Sequence, residues 1–315
     1  MPLASAAKRM AEAGLLISGA AAVSRGRVRG RTLVLAYHNI VGHRSAVDGD
    51  SSLHLPLPLF RHQLDAIERF ADVVPLAEVI SASPSSASSA RPRVAITFDD
   101  AYRGTIRLAL PELARRGLPA TVFVPPGFIP DATFWWDDLG GTTGGLSPSD
   151  RNTALEQCRG RDADVRLHHA SRLTTVNADA RLPGYDLRCT SLDELRAAAA
   201  AGPVSLGSHT WSHPNLARST SDELADELSR PLAWLRQEFP DQHLPAISYP
   251  YGLESAAVQA AARAAGYAMG FLVAGGWLPT TLGNLLALPR LNVPAGLSAD
   301  GLALRLSGLF TTVPA

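Results

Sequence analysis

The sequence predicts a mainly parallel α/β fold, either an open sheet or a closed barrel. Strand-like and helix-like segments alternate along most of its 315 residues. The strand-like segments are nearly continuous apolar runs, as expected when helices cover both faces of a sheet. Polar residues with catalytic potential follow directly after several of these runs, where the active sites of parallel α/β folds lie. We therefore expect one large domain with the size of an enzyme.

Composition supports this class and excludes others. Hydrophobic residues make up 46% and charged residues 18% of the chain, against roughly 25% charged residues in typical globular domains. A disordered chain needs low hydrophobicity and high net charge, so disorder is excluded. The 29 basic residues balance 29 acidic ones, which leaves no excess charge to neutralise phosphates and excludes nucleic acid as the main partner. Cys158 and Cys189 lack the spacing of a metal or redox motif, so we expect free thiols.

Residues 1–31 form an N-terminal segment that precedes the first predicted strand. Its apolar stretch, Ala11–Val23, has room for a short amphipathic helix but is too short to cross a membrane. Glu12 and Ser18 interrupt the run that a signal peptide needs, and four arginines follow. We expect no transmembrane segment and favour a cytoplasmic location; a weak signal peptide or a membrane-surface anchor stays open.

We place the domain at residues 32–315. Its first half alternates between strands and helices. The apolar runs predict strands at Thr32–Tyr37, Arg93–Phe98 and Ala120–Val124. Helical spacing of apolar residues predicts a helix over 60–70. A second helix, Thr105–Arg116, ends at Gly117, a typical C-terminal signal.

The second half begins after an insertion at about 131–190, which has no clean period. Capping boxes begin a helix at Leu192–Ala201 and a longer one that ends near Phe239. Further helices are expected at Ser255–Ala265 and Ser298–Leu309. The remaining apolar runs predict strands at Val204–Ser208, Ala246–Tyr249, Tyr267–Val273 and Leu288–Val293.

Two adjacent carboxylates follow the strand that ends at Phe98. Asp99 and Asp100 repel each other if both are ionised, and a metal ion relieves that conflict. The alternative is a helix N-cap, in which an aspartate accepts backbone N–H bonds. The pair alone does not decide between these interpretations.

A pair of histidines follows the strand that ends at Ser208. The four-residue spacing of His209 and His213 lets both imidazoles reach one ion. The alternative is two surface or packing histidines, since the chain has nine histidines. Together with an aspartate they form the two-His, one-carboxylate set of catalytic zinc sites. Non-haem iron oxygenases use the same set of ligands. In those enzymes, however, a His and the Asp are close in sequence and the fold is rich in β-strands, whereas here the two histidines are close, the aspartate is distant and the fold is α/β. The oxygenase interpretation is therefore disfavoured.

Three ordered motifs resemble those of the polysaccharide deacetylase family (carbohydrate esterase family 4, the NodB-homology domain). They are Thr-Phe-Asp-Asp at 97–100, Ser-His-Thr-Trp-Ser-His-Pro-Asn-Leu at 208–216 and Tyr-Pro-Tyr-Gly at 249–252. The short segments at 35–40, 119–124 and 134–139 also resemble members of this family, so the resemblance spans roughly residues 33–293. It implies a distorted (β/α) barrel with an insertion. It also implies metal-dependent hydrolysis of N-acetyl groups on amino sugars.

Site roles follow from the same resemblance. It makes Asp99 the general base and makes Asp100, His209 and His213 the ligands of a divalent metal, usually zinc. Pro250 and Tyr251 would form a substrate-binding turn, with the backbone N–H of Tyr251 holding the oxyanion.

Two departures from the family pattern matter. The usual arginine of the third motif is replaced by Ser248, and no histidine follows His243 to match the last motif. A branch of the family that resembles a circular permutation carries its acid histidine on the first strand, and His38 fits that position. Arg290 is the candidate to replace the missing arginine and to pair with Asp99. The alternative for His38 is a buried histidine that bonds to the backbone, and the alternative for Arg290 is a structural ion pair.

The substrate implied by the resemblance is an N-acetylated sugar in a polysaccharide, an oligosaccharide or a glycan precursor. Trp135 begins the insertion and is expected to line the substrate cleft, although packing is the default role of tryptophan. Two other functions stay open: an O-acetyl polysaccharide esterase, and a carbohydrate-binding protein that has lost catalysis. The sequence leaves the oligomeric state open.

Overall fold

The apolar runs form the strands of the main parallel sheet in a computed structural model that describes residues 2–42, 49–80, 91–141, 144–170, 173 and 184–314. A separate two-stranded sheet is formed by residues 39–41 and 54–56. The strands of the first half are β1 (Thr32–Tyr37), β2 (Asn39–Val41), β3 (His54–Pro56), β4 (Asp72–Val73), β5 (Arg93–Phe98) and β6 (Ala120–Val124). Those of the second half are β7 (Val204–Ser208), β8 (His243–Ser248), β9 (Met269–Phe271) and β10 (Leu291–Asn292). The predicted bounds of β1, β5, β6 and β7 are confirmed. β8 starts earlier than predicted, and β9 and β10 are shorter.

The helices lie between the strands. Before the insertion they are α1 (Pro2–Ile17), α2 (Ala20–Arg25), α3 (Leu57–Phe70) and α4 (Leu110–Arg116), the last preceded by a π-helical turn at Thr105–Ala109. The insertion holds α5 (Trp135–Gly140), α6 (Pro148–Asn152) and α7 (Asp162–His168). After it come α8 (Leu192–Ala201), α9 (Ser221–Glu238), α10 (Ala256–Ala265) and α11 (Ala299–Leu306). Both predicted capping boxes are present, at the starts of α8 and α9.

The sheet curls into the distorted barrel that the sequence predicts. Its order is β10-β1-β5-β6-β7-β8-β9, and β4 pairs with β5 beside this path. The two ends of the path approach each other through the segment 288–292. Leu288 bridges to Phe271 of β9, and Leu291 pairs with Leu35 of β1. This closing segment therefore joins the first and last strands of the sheet and carries residue 290 between the two pairings.

The insertion folds back onto the barrel. At its two ends, the backbone N–H of Cys189 donates a hydrogen bond to the carbonyl of Ala132. Phe134, Trp135 and Trp136 are buried near its start. Part of the insertion (142–143, 171–172 and 174–183) lies outside the described residues. Both cysteines are buried and free.

The N-terminal segment forms α1 and α2, which lead through a short turn into β1. Glu12 of α1 is buried and accepts a hydrogen bond of 2.6 Å from the Ser298 hydroxyl, the N-cap of α11. Among the described helices, none combines the length and the hydrophobicity needed to cross a bilayer.

Candidate metal centre and active site

Polar side chains from separate strands meet at the carboxyl end of the barrel. His38 follows β1, Asp99 and Asp100 follow β5, and His209 follows β7. They line one cavity of about 330 Å³. Because parallel strands place their carboxyl ends at one face, residues far apart in the sequence become neighbours there. The cluster that the sequence predicts is thus brought together.

The candidate metal ligands form a tight triangle of donor atoms. Oδ1 of Asp100 lies 3.3 Å from Nε2 of His209 and 3.3 Å from Nε2 of His213. The two Nε2 atoms are 3.1 Å apart. Three donors held at about 2.0 Å from one tetrahedral ion would be separated by about 3.3 Å. The spacing of all three atoms therefore fits a single small cation.

The surroundings of these atoms also fit a cation. All three residues are buried, and Oδ1 of Asp100 accepts no hydrogen bond within the described part of the chain. A buried carboxylate oxygen without a partner is costly, and a cation would compensate that cost. Nδ1 of His209 lies 2.7 Å from the carbonyl oxygen of Ser248 and donates to it, which leaves Nε2 free as a ligand atom.

The loop after β7 holds both histidines in place. The hydroxyl of Ser208 accepts from the N–H of Thr210, whose own hydroxyl accepts from the N–H of His213. Oε2 of Glu227 in α9 accepts from the backbone N–H groups of Trp211 and Ser212 at 2.9 Å each. The loop is thus fixed from within and from α9.

Backbone strain is concentrated around the same cluster. Asp100, Thr210, His213 and Tyr251 all have φ between 58° and 70°. This left-handed region is costly for residues other than glycine and persists where the surroundings enforce it, which is typical of functional sites. The strained turns aim the ligand side chains at one point.

Asp99 lies beside the triangle and is paired with Arg290. Nη1 of Arg290 donates to Oδ1 of Asp99 at 2.8 Å, and Nη2 donates to Oδ2 at 2.7 Å. Ser248 accepts from Nη2 at 2.7 Å and donates to Oδ2 of Asp99 at 3.1 Å. The guanidinium of the closing segment therefore contacts both Asp99 and Ser248, the serine at the third-motif position where the family usually has an arginine.

This pairing decides the charge of Asp99. Burial by itself would raise the pKa of the carboxyl, but the Arg290 guanidinium outweighs it and the pKa of Asp99 falls to about 2. Asp99 is thus ionised at neutral pH although it is 1% exposed. Within the described residues Oδ2 accepts two hydrogen bonds and Oδ1 accepts one, so Oδ1 retains an acceptor position.

His38 lines the same cavity. Burial lowers the pKa of its imidazole, and the carboxylates of Asp100 and Asp99 partly oppose that shift. The carbonyl of His38 accepts a hydrogen bond of 2.7 Å from Thr105, which fixes the backbone at this point. The residue belongs to the cavity wall, and its role in proton transfer stays a prediction.

An aromatic wall completes the cavity. The rings of Trp136 and Tyr251 lie 4.9 Å and 4.7 Å from that of His213. The Tyr251 hydroxyl donates to the carbonyl of Gly160 and accepts from the indole N–H of Trp135, both at 3.2 Å. Trp135 lines the cavity as predicted, but its ring is 1% exposed and its N–H is already used. Its contact with substrate stays a prediction.

The turn after β8 presents Tyr251. Pro250 starts a short 3₁₀ turn, Pro250–Gly252, and is itself buried. The fixed φ of proline suits the first position of such a turn. Pro250 therefore positions Tyr251, and its own contact with substrate stays a prediction.

Sequence reasoning missed a buried network behind the aromatic wall. Oδ1 of Asp137 accepts from Nε2 of His54 at 2.9 Å, and Oδ2 accepts from the Tyr102 hydroxyl at 2.7 Å. Tyr102 in turn accepts from the indole N–H of Trp136 at 2.7 Å. Asn39, next to His38, lies 3.1 Å from Nδ1 of His54 and donates to it. No local pattern marks these residues, because their partners are far apart in the sequence.

Comparisons with known proteins identify the family and the fold. The family model described as polysaccharide deacetylase matches residues 86–270. No curated protein matches the chain significantly.

Solved structures with the same fold include the deacetylase PplD from Streptococcus pyogenes, in complex with acetate. Its TM-score is 0.60 at 20% identity, over 86% of this chain and 96% of that chain. IcaB from Ammonifex degensii has a TM-score of 0.59 at 17% identity, over 88% and 97%. A de-N-acetylase from Aggregatibacter actinomycetemcomitans has a TM-score of 0.55 at 17% identity, over 84% and 95%.

Proposed function

The chain belongs to the polysaccharide deacetylase family, and from that premise we propose that it is a metal-dependent carbohydrate N-deacetylase. Its substrate would be an N-acetylated amino sugar in a polysaccharide, an oligosaccharide or a glycan precursor. The observation that carries the proposal is the triangle of Asp100, His209 and His213 beside an ionised Asp99 in one cavity. A neighbour described as a de-N-acetylase has the same fold and supports the proposed bond type.

A divalent cation, for which zinc is our candidate, would be held by Asp100, His209 and His213. When bound, it supplies Lewis-acid activation of water and of the acetyl carbonyl. The three ligand atoms occupy three coordination positions of the cation, and the fourth would face the cavity that the same residues line. That arrangement, with three protein ligands and an open position, is the one that catalytic zinc sites use.

Asp99 is the proposed general base. Oδ1 keeps an acceptor position toward a water molecule in the cavity, while Arg290 holds both oxygens in a fixed orientation. The low pKa of Asp99 keeps it ionised, so the base is ready at neutral pH. Removal of the water proton by Asp99 forms the nucleophile that attacks the acetyl carbon.

His38 is the proposed general acid. Hydrolysis of an amide expels an amine, which leaves only when it is protonated, so an acid must face the leaving nitrogen. The His38 ring lines the cavity, and burial lowers its pKa, so the imidazole is mainly neutral at neutral pH and its protonated fraction is a stronger proton donor than an ordinary imidazolium. A proposed acid in the cavity favours an amide as the substrate over an acetyl ester, because an alcohol leaves more easily than an amine without protonation.

The carbonyl oxygen that becomes negative during attack needs donors. We propose the backbone N–H of Tyr251 for this role, because the strained turn Pro250–Gly252 presents it at the cavity wall. A preorganised donor of this kind contributes about 2.7–4 kcal/mol to the transition state. Trp135 is the proposed contact for the sugar face.

The test measures bound metal and acetate release on the purified protein. We expect near-stoichiometric divalent metal, and acetate release from N-acetylglucosamine oligomers that exceeds release from acetylated xylan. Asp99→Asn should keep the metal but lose activity by about 100-fold or more. The exposed Asp241→Asn is the matched control and should retain full rate. No acetate from any acetylated glycan by the metal-loaded protein, or full activity of D99N, would overturn the proposal.

A further inference from the structure

The exposed residues that the structure describes along α1 are mostly apolar, the reverse of an ordinary surface helix. They are Ala7, Met10, Ala11, Gly14 and Ile17, together with the basic Lys8. Met10 is 70% and Ile17 85% exposed. Surface helices of globular proteins direct their apolar stripe toward the core and their charges toward water.

The acidic residue of α1 faces the protein instead. Glu12 is 8% exposed and lies at the N-terminus of α11, where its carboxylate accepts a hydrogen bond from the hydroxyl of Ser298. This contact fixes the rotation of α1 about its axis. The exposed apolar side chains of α1 are therefore held outward by the packing of the helix.

The next helix also exposes a large apolar side chain. Val23 of α2 is 83% exposed. Within the described part of the chain, five large apolar side chains are strongly exposed, and three of them lie between residues 10 and 23. Single exposed apolar residues are ordinary, but such a concentration marks an interaction site. We name the surface formed by Met10, Ile17 and Val23 the apolar face.

Basic residues flank the apolar face. Residues 1–31 contain six Lys and Arg and one Glu, a net charge of +5, and the remaining 23 basic and 28 acidic residues leave −5 on the rest of the chain. Lys8, Arg27 and Arg29 are exposed. The neutral total thus conceals two oppositely charged parts, and an apolar face with a cationic border has an anionic, apolar partner as its complement.

We propose that the apolar face and its basic border seat the protein on the surface of a bilayer that contains anionic phospholipids. Met10, Ile17 and Val23 would enter the boundary between headgroups and acyl chains, while Arg27 and Arg29 contact the phosphates. A nucleic acid would satisfy the arginines but leave the apolar side chains in water. A symmetric contact with a second copy would bring two segments of charge +5 together.

The location of this surface keeps the catalytic cavity free. Arg29 lies just before the first residue of β1, whereas His38 lies just after the last. The six residues of β1 separate the two ends by about 20 Å. The lipid contact is thus at the amino end of the strands, and the substrate enters at the carboxyl end.

The experiment is sedimentation of the full chain with vesicles of phosphatidylcholine alone or of an equimolar mixture with phosphatidylglycerol. We expect binding to the mixed vesicles and little to phosphatidylcholine, with a loss at high salt. The double variant I17E/V23E should weaken partitioning roughly tenfold or more, since two apolar side chains no longer bury. The double variant R27Q/R29Q should weaken it about 30-fold on mixed vesicles, because each basic residue contributes about fivefold.

Leu167→Glu is the matched control, since Leu167 is 77% exposed but lies in the insertion. It should bind as the unmodified protein does, and thermal unfolding should show that all variants fold. Equal binding of I17E/V23E and the unmodified protein would overturn the proposal. It would also be overturned by a dimer that dissociates in I17E/V23E, or by binding to duplex DNA without binding to vesicles.

Discussion

Replacing Arg290 by methionine tests the most consequential contact of the site. The guanidinium is fully buried, and it makes two hydrogen bonds to Asp99 of 2.7 Å and 2.8 Å. It also donates to Thr97, Ser248 and the carbonyl of Leu272. Methionine has a similar length and no charge, so R290M leaves a buried carboxylate without its partner.

The expected cost is about 4 kcal/mol in the free energy of unfolding, because removing one member of a buried ion pair typically costs 3–5 kcal/mol. R290K retains the charge but not the two-pronged donor geometry, so about half that loss is expected. An arginine restored at the third-motif position, S248R in the R290M background, should recover part of the loss, since Ser248 already contacts Asp99.

Urea unfolding followed by circular dichroism measures these differences. R263M is the matched control, because Arg263 is exposed on α10, and its effect should stay within about 0.5 kcal/mol. A loss below about 1 kcal/mol for R290M would refute the reasoning. It would mean that Asp99 is solvated or neutral in the folded protein and needs no partner.

Three further predictions address other contacts. Asp100→Asn should weaken zinc binding by roughly 100-fold or more in a chelator competition, because even indirect partners of metal ligands contribute 10–100-fold; equal affinity would exclude Asp100 as a ligand. Tyr251→Phe removes the hydrogen bond to Gly160 and the acceptor of the buried Trp135 indole N–H, and should lower stability by about 1–3 kcal/mol in thermal unfolding; no change would mean that neither bond contributes. Burial raises the pKa of Glu112, but Arg115, Arg116 and Arg61 outweigh it and lower the value to about 2. The stabilisation is therefore full above the ordinary value near 4.5 and is lost as pH falls toward 2, and Glu112→Gln should flatten that part of the acid-unfolding curve; an unchanged curve would contradict this assignment.

The sequence predicts the longer, fully buried strands better than the short or half-exposed ones, for a physical reason. β1, β5 and β6 are buried on both faces, so their apolar runs end where the strands end. β8 begins at His243, in a half-exposed stretch that contains a proline, and neither residue type marks a strand. β10 is two residues long because the closing segment passes from one partner strand to another.

The candidate site divides in the same way. His209 and His213 are close in sequence and follow a strand, so their meeting with the aspartate pair could be predicted from position, whereas the choice of Asp100 as the ligand rested on the resemblance. The network of Asp137 and Tyr102 could not, because nothing local marks polar residues whose partners the fold supplies. The contact of Arg290 with Asp99 could be proposed from the resemblance, whereas its two-pronged geometry required the structure.

The closing segment also sets an order for the assembly of the site during synthesis. Every proposed metal ligand lies before residue 214, so a growing chain carries the full ligand set well before residue 290 leaves the ribosome. Asp99 acquires its cationic partner when the last strand enters the sheet. A chain clipped or stalled before that point would hold the proposed ligands without the ion pair that keeps Asp99 charged and oriented. Pairing of the proposed base is thus coupled to synthesis through residue 290.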